Sequence, residues 1–141
     1  MNIIHQHLDM LLRLAAAGQL FIAIVGPMLP RLLDWREAIH RMPLLVREVF
    51  WIHTVFIGLT CGIFGLITWV FATDIAQPPH AMMRWFSFCV GLFWGVRCVM
   101  QWTHYSSSHW RGLFDKTIAH WALFLGYGAF TAIYFIAAFQ K

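Results

Sequence analysis

The feature that most constrains this fold is a set of four apolar stretches, each about twenty residues or longer, filling most of a 141-residue chain. Hydrocarbon offers no partner to a backbone N–H or C=O, so a run of that length is stable in a bilayer only when it satisfies those groups internally, as a helix. The predicted spans cover residues 10–29, 49–73, 81–105 and 117–139, separated by Pro30, Asp74 to Pro79 and Ser106 to Asp115. Short connections make successive spans alternate in direction. The expected fold class is therefore all-α: one membrane domain over 1–141, an integral membrane four-helix bundle. Composition agrees, because 60% hydrophobic and only 11% charged residues exclude an ordinary soluble enzyme.

Each segment adds local expectations. No basic residues precede the first span, and Gly26-Pro27 closes it where a signal peptide would carry a small-residue cleavage site, so the span is expected to be retained. Asp9 and Arg13 are spaced as an i, i+4 pair, Ala15 to Gly18 offer a small surface, and Gln19 is expected to hydrogen-bond a neighbouring helix. From Pro30 to Arg47 the chain turns basic. Leu32, Trp35, Ile39, Met42 and Val46 recur at threes and fours while Arg31, Asp34, Glu37 and Arg41 fall elsewhere, which predicts an interfacial amphipathic helix between spans one and two. Pro43 should end it near Met42, and Glu37 should pair with Arg41. In the second span Gly58, Cys61, Gly62 and Gly65 make a small-residue stripe for helix packing.

The third span carries Arg97, Gln101 and His104 at i, i+4 and i+7, a polar stripe on one helix face. An arginine within a span costs about 2.5 to 3.5 kcal/mol on insertion scales, so it either meets a partner or snorkels to the interface. Alternating topology brings the first connector, the end of span three and the start of span four to one side. His40, His53, His104, His109 and His120 gather there with Glu48, Arg97 and Gln101. The candidate site is thus His53, Arg97, Gln101, His104 and His120, with Glu48 as countercharge to Arg97. Arg31, Arg36, Arg41, Arg47, Arg111 and Lys116 share that side, against Arg13, Arg84 and Lys141 opposite, so positive-inside bias makes it cytoplasmic. Both termini are then expected in the periplasm, and the protein in a bacterial inner membrane.

Three function classes are compatible with these residues. The first is an accessory subunit or assembly factor working with other membrane proteins. The second is a haem- or metal-binding redox protein, with His53, His104 or His120 as axial ligands and Arg97 against a propionate. The third is a quinone- or lipid-binding enzyme or carrier, in which imidazoles exchange protons. A di-metal carboxylate site lacks oxygen ligands, since Glu48 alone lies within reach of the histidines. Ser106 to Ser108 beside His109 make no nucleophile–base arrangement, and no glycine-rich nucleotide loop is present. The net charge is +4, but the basic residues are dispersed along the sequence, which points to lipid headgroups and not to nucleic acid. Cys61, Cys89 and Cys98 form no C-x-x-C pair and read as packing residues. Eight tryptophans suit interfacial belts.

Two segments, Leu29 to Glu37 (LPRLL-x-WRE) and Phe93 to Gln101 (FWG-x-R-x3-Q), resemble stretches of small bacterial four-span inner-membrane proteins. The resemblance implies a four-span fold and no particular activity. Leu29-Pro30-Arg31 is also loosely similar to a stretch of HemJ-type protoporphyrinogen oxidases. Those carry a histidine in their first span, whereas Leu8 to Leu29 holds none, and the activity does not carry over.

Overall fold

A computed structural model describes residues 7–77, 80–104 and 114–140, with the side chains of 114–116 and 119 outside the description. The expected third loop with His109, and the side chain of Lys116, therefore lie outside the described residues. The described residues are all-α, 90% of them helical. Helix α1 (Leu8–Val25) runs through a 3-10 turn at Gly26–Met28 into α2 (Leu29–Leu32); α3 (Arg36–His40) follows, then α4 (Leu44–Val70), α5 (Ala72–Ala76), α6 (Ala81–Thr103) and α7 (Phe114–Phe139). Among the described residues Leu8–Leu32, Leu44–Val70 and His120–Phe139 are long and apolar enough to cross a bilayer, three candidate transmembrane helices that suggest a multi-pass membrane protein. α6 has the length of a span at 23 residues, but Arg84, Ser87, Arg97 and Gln101 dilute its hydropathy.

The connector differs from the expected continuous amphipathic helix. It is two short pieces, because Asp34 sits in the left-handed region at φ 54°, a conformation an aspartate tolerates better than most residues but no helix can run through. The Trp35 amide donates to the Pro30 carbonyl at 2.9 Å, closing the turn. Of the predicted apolar face only Ile39 is buried; Leu32 is 63% exposed and Val46, now within α4, 50%. Pro43 does end the connector, and with φ −53° and ψ 145° it caps α4, where a missing N–H and a fixed φ cost nothing. The second long helix accordingly begins at Leu44, earlier than the expected Val49. Glu37 and Arg41 form the expected ion pair on the exposed face.

The fold divides into two compact units, one of Arg13–Ala72 and one of Met1–Leu12 with Thr73–Lys141. In the first, α1 and α4 run antiparallel at glycine contacts. A Cβ on Gly65 would lie 2.9 Å from Leu20 Cγ and 3.0 Å from the Ala16 carbonyl oxygen, and one on Gly58 3.1 Å from Pro27 Cγ. Ala15 and Ala16 are buried on the facing side. The expected small-residue stripe thus lets two backbones approach closely. Arg13 places its guanidinium carbon 6.0 Å from the Trp69 ring centre. Gln19, buried, donates to the Ala15 carbonyl of its own helix at 3.3 Å.

In the other unit α6 and α7 are antiparallel and share a seam of seven-residue period. Ser87, Trp94 and Gln101 are buried on α6; His120, Tyr127 and Tyr134 are buried on α7. A seven-residue repeat keeps such positions facing a partner along a whole helix. Trp94 stacks on Tyr127 with centroids 5.2 Å apart and meets Phe130 edge-on at 5.0 Å. Gly91 lies beneath Phe135, whose Cδ1 would be 2.8 Å from a Cβ there. At one end of this unit Thr73 Oγ1 donates to Asp9 Oδ1 at 3.1 Å. Gln140 Nε2 donates there to the carbonyls of Ile75 at 2.7 Å and Gln77 at 2.9 Å. Leu8, Leu12, Ile75, Ala137 and Ala138 are buried in this unit.

The two glycine contacts give opposite expectations for alanine. Gly65→Ala must displace the Ala16 backbone and should cost about 1 to 3 kcal/mol, as overpacking does. Gly62→Ala, whose Cβ would find Ala23 Cβ at 3.7 Å, should leave stability unchanged. Reversible unfolding in mixed micelles measures both, and equal losses would count against the close α1–α4 approach.

Candidate functional site

The polar site of the α6–α7 unit grows out of its seam. Gln101 is the last seam residue of α6 and His120 the first of α7, so the antiparallel arrangement sets them opposite each other. Gln101 Nε2 lies 3.0 Å from His120 Nδ1, with Gln101 3% and His120 9% exposed. With the amide N–H donating, the imidazole carries its proton on Nε2, and Gln101 Oε1 is buried without a hydrogen-bond partner among the described residues. Turning the amide over lets Oε1 accept from Nδ1–H and strands the amide nitrogen instead. Either way one end of the Gln101 amide is unmatched in a dry seam, an arrangement that costs about 1 to 3 kcal/mol. Ser87 Oγ, two heptads earlier on the same seam, is likewise buried and unmatched among the described residues.

Arg97 lies one turn before Gln101 and is half-buried. Its guanidinium carbon sits 5.0 Å from the Tyr127 ring centre, and Tyr127 also stacks on Trp94. An aromatic face attracts a cation by about 0.5 to 2 kcal/mol, more as the pair is desolvated. Part of the insertion cost is thereby offset within α6 and α7. His104, expected in the same stripe, does not join the pair. α6 ends at Thr103, and His104 caps it, exposed, with Nδ1 2.8 Å from Thr103 Oγ1. Glu48 and His53 belong to the other unit, both exposed near the start of α4. His53 Nδ1 lies 3.2 Å from the Val49 carbonyl of its own helix.

Beside the seam, α6 and α7 leave an open apolar groove of about 640 Å³ along one face, floored by Gly95, Cys98, Gly128, Thr131 and Ala132 and reaching His104 at one end. Cys98 Sγ is 3.6 Å from the Phe124 carbonyl oxygen. Cys61 is buried and Cys89 exposed, so only two of the three cysteines contribute to packing here. The imidazoles of His53, His104 and His120 are the groups able to ligate a haem iron. Among the described residues no group of three or more His, Cys, Asp or Glu gathers at metal-ligand spacing. Helical spacing alone does not identify Tyr127 as the partner of Arg97, nor Trp94 as the ring stacked behind it. The signal that could have found them is the repeat Ser87–Trp94–Gln101 set against His120–Tyr127–Tyr134.

The chain matches no protein-family model, no curated protein and no solved structure. Its own residues define the class: a small helical membrane protein.

A double-mutant cycle tests the Gln101–His120 contact. His120→Leu should destabilise by about 1 to 3 kcal/mol by stranding a buried amide, and adding Gln101→Leu should recover part of that loss. The expected coupling is about 0.6 to 2 kcal/mol, the range for interhelical hydrogen bonds in lipid. Strict additivity of the two substitutions would mean that the pair does not form.

Proposed function

We propose that this protein is a four-span inner-membrane protein with both termini in the periplasm, and that it acts as an accessory subunit or assembly factor of a larger membrane complex. The observation that carries the reading is the groove on α6 and α7. A Cβ on Gly95 would meet Thr131 Cγ2 at 3.4 Å and one on Gly128 would meet Cys98 Sγ at 3.9 Å, ordinary contacts that the α6–α7 pair could accommodate. These glycines are not needed for the two helices to approach each other, unlike Gly91. Small residues with room to spare along a lipid-facing groove suit the close approach of a further helix, since van der Waals contact drives association in lipid.

Four spans are supported by the polar matching of α6. At about 34 Å it is long enough to cross the hydrocarbon core, and its Gln101 and Arg97 meet His120 and Tyr127 of α7. The Gln140–Gln77 bond brings the two ends of the segment together, as an outward pass along α6 and a return along α7 would. Arg31, Arg36, Arg41 and Arg47 on the first connector favour a cytoplasmic placement for it. The Gln101–His120 pair favours a second reading, a quinone- or lipid-binding protein, in which the Gln101 amide N–H donates to a carbonyl oxygen, or its Oε1 accepts from a hydroxyl, and the imidazole exchanges a proton.

Extraction in mild detergent should recover the protein well above the mass of a monomer with its micelle. Gly128→Leu, which fills the groove, should shift it to the monomer while helicity is kept. A homogeneous wild-type monomer would overturn the accessory role, and a Soret band in the purified protein would replace it with the haem reading. Topology reporters placed after Gln77 and after Gln140 should report one side of the membrane and a reporter at His104 the other.

A further inference from the structure

The basic residues of the connector are dispersed in the sequence and gathered in the fold. Arg31, Arg36, His40 and Arg47 line one cavity of about 290 Å³, with Pro30, Ile39 and Trp51 completing its walls. The left-handed turn at Asp34 produces the convergence. It folds α3 back so that Arg36 and His40, one turn apart on the same face, open onto the same space as Arg31 from α2 and Arg47 from the start of α4. Pro30 and Ile39 are buried and supply an apolar base. No carboxylate lines the cavity. Glu37 is held by Arg41 outside it, and Arg31, Arg36 and Arg47 have no ion-pair partner among the described residues.

Three guanidinium groups around one small cavity repel each other unless an anion sits between them. Guanidinium forks match the oxygens of a phosphate in paired hydrogen bonds. The surroundings decide what carries that phosphate. Leu32, Leu33, Trp35, Leu44 and Leu45, which flank the lining residues in sequence, expose between 46% and 71% of their surface, apolar surface of the same segment that acyl chains would cover, and Trp51 in the cavity wall adds an amphipathic ring. A soluble phosphate compound would leave that apolar surface uncovered, whereas a lipid meets both halves. We propose that Arg31, Arg36, His40 and Arg47 form a binding site for the phosphate headgroup of an anionic phospholipid from the adjoining leaflet.

The test uses the full-length protein in detergent, titrated with phosphatidylglycerol or phosphatidylcholine and read by native mass spectrometry. The wild type should retain phosphatidylglycerol in preference to phosphatidylcholine. Each of Arg31→Gln, Arg36→Gln and Arg47→Gln should lower that preference about fivefold, the weight of one basic residue at an anionic surface. Arg41→Gln, which removes a charge of the same connector that does not line the cavity, should leave it unchanged. Three single variants and circular dichroism keep the result readable if one of them misfolds. Excess inorganic phosphate should fail to displace the lipid. Equal retention of the two lipids, or the same loss in Arg41→Gln as in the cavity variants, would overturn the site. Displacement by inorganic phosphate alone would overturn the lipid as its ligand in favour of a soluble phosphate compound.

Discussion

A hydrocarbon solvent that cannot hydrogen-bond is the constraint on which the rest of this structure depends. It makes every long segment a helix, and it then governs each polar side chain within those helices. Thr54 and Thr60 on α4, and Thr131 on α7, bond back to the carbonyls of Phe50, Phe56 and Tyr127 at 2.8 Å. Gln19 does the same with Ala15. The threonines thereby bond within one helix. Gln101, His120 and Arg97 instead find partners on a facing helix, and that is why α6 and α7 belong together: a helix with so many polar groups needs a neighbour that answers them.

The two units achieve helix approach by different chemistry. α1 and α4 come close because Gly58 and Gly65 remove the side chain at the contact, so backbone meets side chain within about a van der Waals radius sum. α6 and α7 hold each other through an aromatic and polar seam, with Trp94 and Tyr127 stacked at its centre and Gln101 and His120 near its end. Aromatic pairs add geometric preference beyond their area, about 0.5 to 1.5 kcal/mol each. The seam consumes the bulky residues, and what remains beside it is a groove floored by small ones.

The described tryptophans divide by the same logic. Trp94 lies in the middle of α6 and is 2% exposed, whereas Trp85 near its start and Trp102 near its end are more than half exposed. Trp102 clusters with Trp121 and Phe124 where the end of α6 lies beside the start of α7. An indole at a helix end can keep its ring in hydrocarbon and its N–H near water, and one at the centre must be packed. The connector obeys a third rule. Arg41 pairs with Glu37, whereas Arg31, Arg36 and Arg47 have no ion-pair partner among the described residues, and their convergence is set by a backbone turn and not by pairing.

Much of this was legible in the residues because it is local. Span length, the boundary at Pro43, the Glu37–Arg41 pair and the glycine stripe of α4 each follow from spacing or from the geometry of one residue type, which any tertiary arrangement would preserve. The chain by itself therefore determined a helical membrane protein with a basic connector and polar residues clustered near the ends of its third and fourth apolar segments. Which of those residues meet was decided only by the fold. Arg97, Gln101 and His104 share a face by helical period, yet the α6–α7 seam takes Gln101, turns Arg97 onto Tyr127 and ends before His104. Arg31, Arg36, His40 and Arg47 look scattered until one left-handed residue at Asp34 folds them around a cavity. Periodicity reports which side of a helix a residue occupies, but contact across helices depends on register and on where the chain turns, and those arise from packing the whole chain at once.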